Sequence, residues 1–112
     1  WAYWGDGSYE RALRESDLIV NCTPVGVAGS DTEGQSPVPT DLISPQATVF
    51  DVVYNPVDTP LVVGARARGA KAVGGLGMLV YQAAESFRLW TGQDADVPAM
   101  MDAARAALGV SA

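Results

Sequence analysis

Hydrophobic and polar positions divide the chain into short apolar runs separated by amphipathic segments and glycine-rich stretches. Residues 17–22 and 47–54 are rich in β-branched side chains and predict two strands, and residues 70–73 predict a short third strand. Apolarity within the first two runs is largely continuous rather than alternating. That pattern is typical of strands in a parallel sheet that is covered on both faces.

Four segments with helical character surround these runs. The first covers residues 9–15, with Asp6 or Ser8 available as its cap. The second opens at Thr59-Pro60, an N-cap followed by proline in the first turn, and ends at Gly69. Helices over residues 78–91 and 99–108 complete the pattern. In the third helix, an apolar stripe is expected to face the core: Leu79, Ala83, Phe87 and Trp90.

The predicted strands alternate with helices, so neighbouring strands are expected to pair in parallel through right-handed crossovers. A glycine- and proline-rich loop over residues 23–41 joins the first two strands. The pattern predicts an α/β fold, a partial Rossmann-like doubly wound sheet of about three strands with flanking helices. Complete sheets of this kind have about six strands, so only part of one is expected here.

Composition narrows the possible partners. The chain of 112 residues suits one small domain, and its 13 acidic against 7 basic residues give a net charge of -6. This balance argues against binding to nucleic acid or to an anionic membrane, both of which attract basic surfaces. Charged residues make up only 18%, which suggests that some of the surface is covered by something else.

No apolar run is long enough to span a membrane, and no signal peptide is visible. A single cysteine, Cys22, cannot form an internal disulfide, so we expect a cytoplasmic protein with this thiol buried as a small apolar group. The chain begins with Trp1 rather than methionine, which suggests a fragment or a processed chain. It contains no histidine, so Ser-His-Asp catalysis, Cys-His catalysis and histidine-based metal sites are not expected.

Ligands of open parallel sheets bind beyond the carboxyl ends of the strands. That rule selects three segments here, residues 21–26, 52–56 and 74–77. Gly74, Gly75 and Gly77 precede a helix and could bring backbone close to a ligand or adopt positive φ. The alternative interpretation is that all three segments are simply turns. The glycines do not form the dinucleotide fingerprint G-x-G-x-x-G.

Three side chains near these segments are candidate ligand contacts. Met78 and Gln82 are four residues apart and share one helix face, which would suit a polar ligand beside a flat ring. The alternative for Gln82 is a solvated helix position. Tyr54 ends its predicted strand at the ligand edge, where its phenol could bind a carboxylate or a hydroxyl. It could equally be a core tyrosine with its hydroxyl at the rim.

Several motifs together resemble a known family. They are DLIVNCTPVG at residues 17–26, DVVYNP at 51–56, TPL at 59–61, GLGMLVYQAA at 75–84 and LWTG at 89–92. In this order they resemble the C-terminal part of shikimate dehydrogenases. The family's catalytic lysine and aspartate lie in an N-terminal substrate domain, and Lys71 does not match that lysine's motif. The resemblance therefore implies no catalytic residue in this chain.

The resemblance also assigns expected roles to individual positions. It implies that NADP is contacted by Thr23, Val52, Gly75 and Met78. It implies that shikimate is bound by Tyr54 and Gln82. Residues 1–112 would be the C-terminal part of a dinucleotide-binding domain, with the helices over 78–91 and 99–108 facing the substrate domain.

The activity implied for the full-length protein is the reversible NADP-dependent reduction of 3-dehydroshikimate to shikimate, a step in aromatic amino-acid biosynthesis. Two alternatives stay open. One is a quinate/shikimate dehydrogenase that uses NAD, and the other is a non-catalytic remnant that binds a nucleotide or a partner protein. The 112-residue chain alone is expected to be inactive. The sequence does not indicate its oligomeric state.

Overall fold

A parallel sheet of three strands organises the fold in a computed structural model that describes residues 2 and 5–110. The strands are β1 (Leu18–Asn21), β2 (Thr48–Asp51) and β3 (Lys71–Val73), in the order β1-β2-β3. The register sets Ile19 opposite Val49, which lies opposite Ala72. The predicted α/β class and the parallel pairing are confirmed.

The helices are α1 (Ser8–Glu15), α2 (Pro60–Ala67), α3 (Leu76–Thr91) and α4 (Val97–Ala107), with a 3-10 turn at Thr40–Leu42. The predicted cap of α2 is confirmed, since the Val62 N–H donates to Thr59 Oγ1 at 3.2 Å. At α1, Asp6 accepts from the Ser8 side chain and from its N–H, and these hydrogen bonds lower the pKa of the Asp6 carboxyl.

The strands are shorter than their apolar runs. β2 ends at Asp51, although the apolar run continues to Tyr54. The Val52 N–H still bonds to β1, but from Val53 onward the backbone bonds to other loops. For example, the Gly75 N–H donates to Val53 O at 3.0 Å. Apolar composition extends into these residues because Val53 is itself buried. The segment after β2 is therefore a packed loop rather than a strand.

The hydrophobic core lies on one side of the sheet. There α2 packs against β2, β3 and the 3-10 turn, and α1 contributes Leu13. Val49, Ile43 and Leu61 are completely buried in it. The remaining buried members of this core are Leu13, Ile19, Leu42, Ala47, Ala65 and Ala70.

The opposite side of the sheet carries apolar side chains that the described residues leave exposed. Leu18 is 60% exposed, and Val20 and Val73 are about half exposed. Alternation along β1 explains this, because Ile19 and Asn21 point to the core and their neighbours point away from it. The continuous apolar pattern of β1 thus reflects one core face and one face that is uncovered among the described residues.

Helix α3 buries a different stripe from the predicted one. Leu76, Val80 and Ala84 are buried, whereas Phe87 is exposed and Trp90 is 83% exposed. The prediction of a core stripe through Phe87 and Trp90 is wrong because the start of α3 is anchored at the sheet edge, which decides the face that turns inward. The second half of α3 projects with α4, against which α3 packs. None of the helices in the described part of the chain combines the length and apolarity needed to cross a bilayer.

We expect the core contact of α2 to dominate the stability of the fold. Leu61→Ala, which truncates a completely buried side chain, should lower the free energy of unfolding by about 2–5 kcal/mol. Val63→Ala on the same helix removes a side chain that is 54% exposed and should change it by less than about 0.5 kcal/mol. Urea denaturation followed by circular dichroism measures both values. Equal losses for the two variants would contradict this assignment of the core.

Candidate functional site

The segments that follow the three strands meet at one edge of the sheet, as the topology predicts. The Val52 N–H donates to Asn21 O at 3.0 Å, which joins the ends of β1 and β2. The Ala28 N–H donates to Asn55 O at 2.8 Å, so the loop after β1 is held against the segment after β2. The third segment joins through the hydrogen bond from the Gly75 N–H to Val53 O.

A completely buried carboxylate lies at the centre of this edge. Asp51 Oδ1 accepts from Asn21 Nδ2 at 2.9 Å and from the Val53 N–H at 3.0 Å. Asp51 Oδ2 accepts from Thr59 Oγ1 at 2.6 Å, and that hydroxyl also caps α2. Asn21 and Thr59 are themselves buried. One side chain thus connects the ends of two strands with the start of α2.

The same network extends to the turn after β1. Asn21 Oδ1 accepts from the Thr23 N–H at 2.9 Å and from Thr23 Oγ1 at 2.6 Å. The Val25 N–H in turn donates to Thr23 Oγ1 at 3.3 Å. The conformation of the Thr23 turn is therefore set by Asn21, whose Nδ2 group donates to Asp51 while its Oδ1 accepts from Thr23.

The sequence does not predict that Asp51, Asn21 and Thr59 form a connected group. A signal was present, because an aspartate and an asparagine within apolar strand runs must be hydrogen-bonded if they are buried. Their pairing across 30 residues of chain is not visible in the sequence itself.

A cleft of about 270 Å³ lies between the turn after β1 and the segment after β2. Its lining is mainly apolar, with hydroxyl and amide groups added by Thr23, Tyr54 and Asn55. The complete lining is Thr23, Pro24, Val27, Val52, Val53, Tyr54 and Asn55. Three of the predicted contact residues, Thr23, Val52 and Tyr54, are therefore brought together. Tyr54 is 42% exposed, which excludes the interpretation of a core tyrosine.

The glycine turn approaches the chain's own backbone closely. A β-carbon built on Gly75 would lie 2.0 Å from Val52 O, and one on Gly74 would lie 2.7 Å from Val57 O. A β-carbon on Gly77 would meet nothing within 4 Å. None of the three has positive φ, so that part of the expectation is wrong. Gly75 is needed because the start of α3 is pressed against the carbonyl of Val52, a lining residue.

The two predicted contacts on α3, Met78 and Gln82, are not part of the lining of this cleft. Met78 is exposed in the first turn of the helix, one turn after Gly75. Gln82 is exposed as well, and its Nε2 donates to Leu79 O at 2.9 Å. Its amide thus folds back on its own helix in this structure. This bond uses one of the two Nε2 protons, so the second proton and the carbonyl oxygen can still serve a ligand.

Cys22 is exposed, so the prediction of a buried thiol is wrong. The strand ends with Asn21 pointing inward, and the alternation turns the next side chain outward. Cys22 lines a second cavity of about 250 Å³, which shares Thr23 with the cleft. Tyr9 also lines it, and burial raises the pKa of the Tyr9 phenol. No group of three or more His, Cys, Asp or Glu side chains within residues 2 and 5–110 is placed to hold a metal ion.

Comparison with known proteins gives consistent matches over most of the chain. Residues 75–105 match the family model described as the shikimate 5'-dehydrogenase C-terminal domain. Over 103 residues, 92% of the chain, the sequence is 48% identical to a shikimate dehydrogenase (NADP(+)) of Dehalococcoides mccartyi. The chain spans only 35% of that relative's length, about a third.

Solved structures of shikimate and quinate dehydrogenases also match most of the chain. A shikimate 5-dehydrogenase from Thermus thermophilus, in complex with NADP(H) and shikimate, is 40% identical with a TM-score of 0.79. The match covers 88% of this chain and 37% of that one. A quinate dehydrogenase from Corynebacterium glutamicum, in complex with NAD, is 33% identical with a TM-score of 0.76, covering 83% and 32% of the two chains.

We expect the two glycines that flank Leu76 to respond oppositely to substitution. Gly75→Ala should destabilise the protein by about 1–3 kcal/mol, because its methyl group would collide with the Val52 carbonyl. Gly77→Ala meets open space inside a helix and should leave stability unchanged or raise it by up to about 1 kcal/mol. Thermal and urea unfolding of both variants would measure the contrast. Similar losses at both positions would refute the close packing at Gly75.

Proposed function

We propose a function for the chain on the premise that it belongs to the shikimate dehydrogenase family, whose C-terminal part it matches. In this proposal the chain forms the cofactor side of an enzyme that reversibly reduces 3-dehydroshikimate to shikimate with NADP. The observation that carries the proposal is the cleft at the carboxyl edge of the sheet, with Thr23, Val52 and Tyr54 in one lining. Ligands of open parallel sheets bind at this edge.

The residues around the cleft fit the nicotinamide end of NADP. An apolar wall formed by Pro24, Val27 and Val52 suits a flat ring. Met78, exposed in the first turn of α3, is proposed to add a polarisable side chain against that ring. We assign cofactor contacts to Thr23, Val52, Gly75 and Met78. When bound, NADPH supplies the hydride for the reduction. The chain's own contribution is to hold the ring in one orientation against the substrate, which lowers the barrier by positioning.

Substrate contacts are assigned to Tyr54 and Gln82. The Tyr54 phenol lies at the cleft, and its hydroxyl can donate to or accept from a polar substrate group. The Gln82 amide can do both at once, with its oxygen and with the Nε2 proton that is not donated to Leu79 O. The residues of this chain bind and orient, and the proton-transfer groups are proposed to lie in another part of the enzyme. We therefore assign no catalytic residue in this chain.

A second candidate is a quinate/shikimate dehydrogenase that uses NAD. The observation in its favour is the similarity to the quinate dehydrogenase structure with NAD, whose TM-score is close to that of the shikimate dehydrogenase. In this proposal the cleft residues face the nicotinamide and not the ribose phosphate that distinguishes NADP from NAD, so they do not discriminate between the two candidates. We place the enzyme in the cytoplasm, where the exposed Cys22 thiol would stay reduced.

The proposed activity can be tested with the full-length protein that contains this chain. Oxidation of shikimate and of quinate is followed at 340 nm with NADP and with NAD. We expect the highest kcat/KM for shikimate with NADP, and no turnover by residues 1–112 alone. Preference for quinate and NAD would support the second candidate. Absence of turnover with all four combinations would contradict both and favour a non-catalytic remnant.

Substitution of Gln82 tests the substrate contact. In the full-length enzyme, Gln82→Ala should raise the KM for shikimate about tenfold, because one hydrogen bond to a polar substrate group is lost. The KM for NADP should change much less. Glu85→Ala serves as the control, since Glu85 is exposed on the same helix and pairs with Arg88. An equal or larger effect on NADP binding would contradict the assignment of Gln82.

A further inference from the structure

We propose that Asn21, Thr23, Asp51 and Thr59, the Asp51 network, form a positioning device that couples the cofactor side of the cleft to its substrate side. This inference rests on the proposed function and deepens it. Thr59 does not line the cleft, and Asp51 is completely buried, so neither contacts a ligand there. Their effect on catalysis would be transmitted through the residues that they hold.

The carboxylate of Asp51 fixes three groups simultaneously. It receives hydrogen bonds from the Asn21 amide, the Val53 N–H and the Thr59 hydroxyl. A buried charge is tolerated only when it is well hydrogen-bonded, and hydrogen bonds to charged groups are stronger than neutral ones. None of these donors can move away without leaving the carboxylate short of a partner. The three elements that carry them are therefore held in one relative geometry.

On the cofactor side, the network acts through Asn21. The Asn21 amide uses its NH₂ group toward Asp51 and its oxygen toward both donors of Thr23. Because the Thr23 hydroxyl donates its only proton to Asn21, it can offer a cofactor a lone pair but no proton. The network thus sets the position of the Thr23 turn and the hydrogen-bonding character of its side chain.

On the substrate side, the network acts through Val53. Its N–H donates to Asp51 Oδ1, and its carbonyl accepts from the Gly75 N–H. With both backbone groups of Val53 engaged, its neighbour Tyr54, the proposed substrate contact, is held in orientation. The other neighbour, Val52, is the proposed cofactor contact and is held in the same way. A displacement of about 1 Å between reacting groups can reduce the rate about 100-fold. Loss of the hydrogen bond between the Val53 N–H and Asp51 is therefore expected to lower kcat more than it lowers the affinity for ligands.

Two matched substitutions of Thr59 in the full-length enzyme test whether the Asp51 network positions the cleft residues. Thr59→Val preserves the shape but removes the hydroxyl, whereas Thr59→Ser keeps the hydroxyl and removes the methyl group. We expect Thr59→Val to lower kcat at least tenfold, with KM values for shikimate and NADP within about threefold of wild type. Thr59→Ser should stay within about threefold in kcat. Ile43→Val, a buried change on the 3-10 turn side of the core, should lower Tm and leave kcat unchanged.

If Thr59→Val does not fold, Asn21→Asp serves as the second variant. It keeps the side-chain shape but places an acceptor beside the Asp51 carboxylate, and it should lower kcat at least as much. The proposal is overturned if the folded variants at Thr59 and Asn21 lose Tm like Ile43→Val while kcat stays at the wild-type value. That result would show that the network stabilises the fold and has no effect on catalysis.

Amide hydrogen exchange provides a readout that does not depend on activity. The Val53 and Thr23 amides should exchange faster in Thr59→Val than in wild type, and Thr59→Ser and Ile43→Val should retain protection. An inactive wild-type enzyme would contradict the proposed function, while faster exchange at these two amides would still support the coupling. Unchanged exchange in Thr59→Val would overturn the network proposal even if the wild-type enzyme is active.

Discussion

The buried carboxylate of Asp51 is the interaction on which the geometry of the sheet edge depends. A charge removed from water must be compensated by hydrogen bonds, and here every donor comes from a different structural element. The hydroxyl of Thr59 serves both this charge and the first turn of α2. The ends of β1 and β2 and the start of α2 are therefore assembled around one side chain. The cleft lies directly beside this point of convergence.

Local chemistry made most of the fold predictable. The strand runs, the Thr59-Pro60 start of α2 and the Gly92 end of α3 all follow from residues close in sequence. The face of α3 that packs inward could not be predicted from nearby residues. Trp90 is large and apolar, which favours burial, but it lies where α3 projects from the sheet and is exposed. Strand length was overestimated for a related reason, since burial of Val53 continues after the ladder has ended.

The candidate site was likewise predictable in part. Topology alone located the three segments at the sheet edge, while individual ligand contacts were assigned only by resemblance to a family. The Asp51 network was missed because it joins residues 30 positions apart through side-chain hydrogen bonds. The exposure of Cys22 was missed because it depends on where β1 ends. Gly75 was expected to bring backbone close to a ligand, and the close neighbour in the structure is the carbonyl of Val52.

The uncovered side of the sheet has a practical consequence for handling the chain alone. Strand β1 pairs only with β2 among the described residues, so one edge of it presents unpaired backbone groups next to the exposed Leu18 and Val20. An open strand edge beside an apolar surface is a template for aggregation by strand addition. Purified residues 1–112 are therefore expected to self-associate as their concentration rises, which light scattering would detect.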